Sequence, residues 1–171
     1  MLPTRSANCV SVFCAVALAS AVPVASQENS TAASDPYDEA FSPPVITSER
    51  DAERLRNLEG ATLQWLGWEK RGKVVSYVDQ DGVWWLTTEL RGKDDAGLKL
   101  EGVITEIGKD YFLIHAEITI MGTPDPDRFC DVNKIWRFAV TQNRSYYRLR
   151  EFEWCDGLTD YIDFYFAPSL R

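Results

Sequence analysis

Three groups of residues have types and spacing that can do chemistry. The largest is Arg137, Tyr146, Arg148, Arg150, Tyr161, Asp163 and Tyr165, which period-two alternation places on one side of the last strands. Two or three guanidiniums beside phenols can hold a carboxylate or a phosphate by paired hydrogen bonds. The competing reading is an outer sheet face on which Arg stems cover Tyr rings and Arg150 pairs with Asp163. The second group is His115 with Glu106 or Glu117, an acid–base pair of the kind a small hydrolase or isomerase needs. No nucleophile motif accompanies it, and Gly-x-Ser-x-Gly is absent. The third is acidic: Asp125, Asp127 and Asp131, loosely spaced like a calcium loop, and Asp156, Asp160 and Asp163. The first trio lacks the glycine and distal Glu of an EF-hand, and its two prolines already describe a stiff loop. No catalytic residue, metal or cofactor is assigned from these groups.

The elements that must position these residues follow from the same alternation. After Gly60, apolar runs are broken by Gly, Asp and Asn about every ten residues, which is the punctuation of strands. Strands are expected near 61–69, 73–78, 83–91, 98–107, 111–121, 133–141, 145–154 and 159–166. Most connectors have hairpin length, so the fold class is all-β, an antiparallel meander of about eight strands. Closure into a small barrel, complete or partial, removes exposed edges more cleanly than a sandwich does. One short helix precedes it: Thr47 to Gly60 has a Ser/Thr cap, acids in its first turn and a narrow stripe of Ala52, Leu55 and Leu58.

Two hairpins carry specific expectations. Asp156-Gly157 reads as a two-residue turn, because both residues tolerate positive φ. That centre pairs Leu149 with Phe164, Tyr147 with Phe166, and Glu151 with Ile162. On the other face it pairs Arg150 with Asp163, Arg148 with Tyr165, and Phe152 with Tyr161. The turn at Gly108-Lys109-Asp110 puts Phe112, Ile114, Ala116, Ile118 and Ile120 on an apolar side with Val103 and Ile107. Tyr111, Leu113, His115 and Glu117 then lie on the other, beside Ile104 and Glu106. Trp84, Leu86, Thr88 and Leu90 are expected to point inward.

Charge and cysteines bound the setting. The chain has 18 Lys and Arg against 26 Asp and Glu, a net charge of −8. Residues 1–26 read as a signal peptide, with Arg5 and an apolar run from Cys9 to Val22 that is too short to span a bilayer. Their removal deletes Arg5 and no acid, taking the charge from −8 to −9. Such a balance opposes binding to nucleic acid. Residues 27–46 read as a disordered linker and 47–171 as a single domain, a monomer in the periplasm or outside the cell, with no transmembrane segment once the signal is removed. Cys130 and Cys155 then remain, and in an oxidising compartment they are expected to form a disulfide. Asn29-Ser-Thr and Asn143-Arg-Ser match glycosylation acceptors.

The stretch TQNRSYYRLREFEWCDGLTDYIDFYF, residues 141–166, resembles short uncharacterised bacterial proteins that are exported. A looser likeness to lipocalin-type calycin barrels concerns architecture alone, since the Gly-x-Trp pattern is not met by GATLQW or LGW. The reading is a non-enzymatic extracytoplasmic protein that binds a small amphipathic or anionic ligand, or an envelope component, at a barrel mouth or lumen. The alternatives are a structural or protein-interaction module of the envelope, which needs an exposed aromatic patch, and a small enzyme using Glu106, His115 or Glu117.

Overall fold

A computed structural model describes residues 41–171. The expected signal peptide, with Cys9 and Cys14, and residues 27–40 of the expected linker, with Asn29, lie outside the described residues. The elements are β1 (Val45–Ile46), α1 (Glu49–Arg56), β2 (Leu58–Leu63), β3 (Val74–Val78), β4 (Trp84–Arg91), β5 (Gly97–Gly108), β6 (Tyr111–Met121), β7 (Phe129–Ala139), β8 (Tyr146–Leu149) and β9 (Ile162–Phe166).

From β3 to β9 each strand pairs antiparallel with the next, and β2 returns beside β9. The ring is nearly closed by one bridge, in which Ala61 and Gly72 exchange backbone hydrogen bonds of 3.0 and 2.8 Å. Glycine is required there, because a Cβ on Gly72 would lie 2.6 Å from Leu90 Cγ and one on Gly60 would lie 2.9 Å from Gly72 O. The result is an all-β antiparallel meander of eight strands in a nearly closed barrel, preceded by one short helix, as the strand punctuation implies. β1 pairs in parallel with the end of β5, through Val45 and Glu106, where β5 outruns β4.

The interior is packed with side chains. Phe112, Ile114, Ile118, Ile120, Trp136, Phe138, Tyr147, Leu149, Ile162, Phe164 and Phe166 converge there from β6 to β9 and are essentially inaccessible. Burying each such side chain contributes about 1.5–3 kcal/mol. Phe138 stacks on Phe112 at 5.1 Å and meets Phe164 edge-on at 5.1 Å, so aromatic rings occupy what a ligand-carrying barrel would leave empty. A ligand site in the lumen is therefore excluded. Trp84, Leu86, Thr88 and Leu90 point inward, as alternation requires.

α1 closes the end of the barrel that holds the β5–β6 hairpin. Ser48 Oγ accepts from Asp51 N at 3.3 Å, capping the helix, and Asn57 rather than Gly60 ends it. Ala52 and Leu55 enter the core, and so do Asp51 and Arg54. Arg54 Nη1 donates to Asp51 at 2.7 Å and to Asp110 at 2.8 Å, while Tyr147 OH donates to Asp51 at 2.6 Å. Burial pushes the Asp51 carboxyl up, but these bonds with those from Ser48 and the Asp110 amide outweigh it and hold its pKa below the ordinary value. Burial raises the Tyr147 phenol.

Two expectations about register fail for identifiable reasons. A bulge at Thr105 interrupts β5, so Ile104 pairs with Ile114 inside and Val103 lies opposite His115 outside, the reverse of simple alternation. At the C-terminus, Asp156-Gly157 is not a two-residue hairpin: β8 stops at Leu149 and β9 starts at Ile162. The register is Tyr146 with Tyr165, Tyr147 with Phe164, and Arg148 with Asp163, displaced by two residues from the expected one. An even displacement preserves both faces, so Tyr147, Leu149, Phe164 and Phe166 remain core.

The physical cause is that β8 covers only the end of β7, at Phe138 and Ala139. Residues 150–161 must cover the rest. Trp154 packs edge-on against Trp136 at 5.1 Å, Glu151 pairs with Lys134, and Cys155 forms the expected disulfide with Cys130. Side chains that a tight hairpin would have carried away from β7 are used instead to seal it.

Candidate functional site

The outward residues of β8 and β9 meet on the barrel exterior. Asp163, on β9, faces outward yet is 0% exposed, because Arg148 on β8 lies over it. Arg148 Nε and Nη2 each donate to Asp163 at 2.7 Å, a bidentate pair. Burial pushes the Asp163 carboxyl up, an effect that Arg148 opposes. The Arg148 side chain is 14% exposed. Its guanidinium sits 4.2 Å from the Tyr161 ring, 5.1 Å from Tyr146 and 5.4 Å from Trp68.

From that centre the contacts run on in both directions. Tyr146 and Tyr165 rings are 5.2 Å apart, Arg71 lies 4.1 Å over Tyr165, and Tyr165 OH shares a 3.3 Å hydrogen bond with Thr62. On the other side Tyr161 meets Phe152 edge-on at 5.6 Å, and Arg150 covers Phe152 at 5.1 Å. The seven side chains Arg71, Tyr165, Tyr146, Arg148, Tyr161, Phe152 and Arg150 thus form a run along the outside of the sheet in which two rings lie between successive cations. Arg144 lies 5.5 Å over Tyr146 and adds a further cation.

Of the residues singled out in the sequence, Tyr146, Arg148, Tyr161, Asp163 and Tyr165 are brought together. Arg150 reaches the group only through Phe152, and Asp163 is the partner of Arg148 rather than of Arg150. Arg137 is outside it: its guanidinium lies 3.9 Å over Tyr111, whose hydroxyl bonds Glu106. That bond also separates Glu106 from the acid–base group, while His115 and Glu117 line a groove on β4–β7. Arg71 and Arg144 were missed because they lie in connectors, where alternation assigns no face, and Trp68 because the strand expected over 61–69 ends at Leu63. The only hint of Trp68 and Arg71 was the run of basic and aromatic residues in GWEKRGK.

Three of the remaining acids have partners within the protein. Asp156 and Asp160 both bind Arg128, and Asp131 accepts from Thr119 at 3.0 Å. Among the described residues, Asp125, Asp127 and Asp131 do not converge within metal-ligating distance.

Arg128 supplies the contrast that gives the exterior face its meaning. A guanidinium has five N–H donors. Arg128 places one on Thr123 O at 3.1 Å and the other four on Asp156 and Asp160 at 2.7–3.0 Å. Trp65 Nε1 adds a 2.8 Å bond to Asp160. Arg148, among the described residues, bonds Asp163 alone, through Nε and Nη2. Its Nη1 is uncommitted.

The model of the PM1083 family matches residues 43–166, which include every strand of the barrel and α1. The chain belongs to the PM1083 family. The sheet that carries the Arg148 face is therefore a family frame, and the family's name assigns it no chemistry. No curated protein and no solved structure matches the chain. Among the described residues, no helix is long and apolar enough to cross a membrane.

Proposed function

We propose that the protein is an exported, non-enzymatic binding module that recognises a carboxylate- or phosphate-bearing component of the cell envelope on the outer face of β8 and β9. The observation that carries this reading is the uncommitted Nη1 of Arg148, held in place by a buried carboxylate and framed by Tyr146, Tyr161 and Trp68. Trp68 is 44% exposed and can lie against the body of a ligand whose anionic group meets Arg148. Arg71 and Arg144 make this surface locally basic in a chain whose net charge is −8. A packed interior leaves the exterior as the place for binding, and the disulfide suits an oxidising compartment.

The test is a nitrogen-15 NMR titration that follows the Arg148 Nε–H resonance with inorganic phosphate, citrate and vesicles containing phosphatidylglycerol. At least one should shift it saturably, and Arg144→Gln with Arg71→Gln, one half-buried and one exposed position that make no hydrogen bond to Asp163, should weaken the response severalfold. If none of the three probes moves that resonance, the reading is wrong.

A further inference from the structure

A second exterior groove, separate from the Arg148 face, has the opposite character. It has a volume of about 250 Å³ and lies on β4 to β7, with Phe41 at one side. Cross-strand pairing makes its floor explicit. Trp85, Val103, His115 and Ile135 form one outward row, and Thr87, Glu101, Glu117 and Asn133 form the next. Val103 points outward but is 3% exposed, a consequence of the groove walls above it. Phe41 and Trp85 are one wall, with ring centroids 5.8 Å apart. The Trp85 indole is held in place by its 2.9 Å bond from Nε1 to Asp79.

Glu101 and Glu117 are direct cross-strand partners on this floor. Like charges at such a position oppose each other and destabilise a sheet. Lys99 lies 3.3 Å from Glu101, whereas Glu117 has no ion pair among the described residues. A destabilising carboxylate pair beside a fixed indole has a chemical complement: a cation with an aliphatic body, attracted to the carboxylates and to the ring face. The net charge of −8 draws such a cation in.

We infer that this groove binds a small organic ammonium ion, with Glu117 receiving the charge beside the Lys99–Glu101 pair and Trp85 and Phe41 receiving the stem. The volume accommodates an ammonium group on a stem of a few carbons. The site is independent of the anionic face, so the failure of either leaves the other standing.

The experiment is a two-dimensional NMR titration with choline and with cadaverine, following the Trp85 indole N–H, identified by Trp85→Phe, and the Gly102 amide. Neutral n-pentanol and sodium chloride at matched ionic strength are the controls. One or both amines should shift these resonances saturably and the controls should not. Glu117→Gln should weaken binding at least tenfold while leaving the melting temperature unchanged or higher, and Glu117→Asp should retain part of the affinity. Shifts of equal size with pentanol or salt, no saturable shift with either amine, or full affinity in Glu117→Gln would overturn the inference.

Discussion

Arg128 and Arg148 are both nearly buried and both paired with a fully buried Asp, but the first spends every donor on the protein and the second spends two of five. Arg128 ties the β6–β7 connection to the loop that seals β7, beside the disulfide. Arg148 ties only β8 to β9 and points its remaining N–H groups toward rings and solvent. A saturated guanidinium is a clamp, and a half-saturated one held by a buried carboxylate is an oriented donor. Replacement should therefore affect chiefly stability at the first position and chiefly binding at the second.

The largest expected effect is at the clamp. Arg128→Met leaves Asp160 buried without its counter-ion and should cost about 3–5 kcal/mol in urea unfolding. A cost below that of Arg148→Lys would remove the distinction. Next is the disulfide beside it. Cys130→Ser with Cys155→Ser releases a loop of 25 residues and should cost about 3 kcal/mol, measured the same way. Arg148→Lys should cost less, about 1–2 kcal/mol, because an ammonium keeps the charge and loses the bidentate geometry. It should nevertheless abolish the saturable shift that the anions cause at the neighbouring Trp68 indole N–H, and retention of that shift would return Arg148 to a purely structural role.

The two pairs also differ in the sign of their pH dependence. Arg128 holds the Asp156 carboxyl below the ordinary value, so its contribution is complete above the unfolded pKa, near 3.9, and is lost as pH falls through the folded one. Burial holds Asp163 above its unfolded value, so its contribution falls as pH rises through the window between the two. Asp156→Asn should flatten the loss of stability on acidification, and Asp163→Asn should not. Denaturant midpoints between pH 3 and pH 6 decide this. The smallest effect belongs to the second groove, where Glu117→Gln should stabilise by about 0.2–1 kcal/mol through relief of the Glu101 contact. A destabilised variant would argue against that repulsion.

Much of the frame was legible because period two is a local property of the chain. Phe112 to Ile120 and Trp136 to Phe138 are inside because every second residue of β6, and of β7 apart from Lys134, is apolar, and no distant contact can change that parity. The candidate face was legible for the same reason, since Arg148, Asp163 and Tyr165 keep their side under a two-residue displacement. What local pattern could not supply was pairing across long connections. Asp156-Gly157 has the residues of a turn, but Trp154, Cys155 and Asp156 were needed on β7. Thr105 gives no local sign of a bulge, yet it decides that Val103 rather than Ile104 floors the outer groove.

The sequence by itself determined an acidic all-β chain, its barrel-forming strand order, the two faces of most strands and the Cys130–Cys155 pair, all consequences of composition, spacing and alternation. Only the tertiary structure decided that the arginine and tyrosine face is outside. Both faces of the last strands are rich enough in aromatic residues to be buried. The choice falls to volume: Phe112, Phe138, Phe164 and Phe166 fill the lumen, and their tight packing excludes water and charge, so Arg148 and Asp163 are left to pair on the surface.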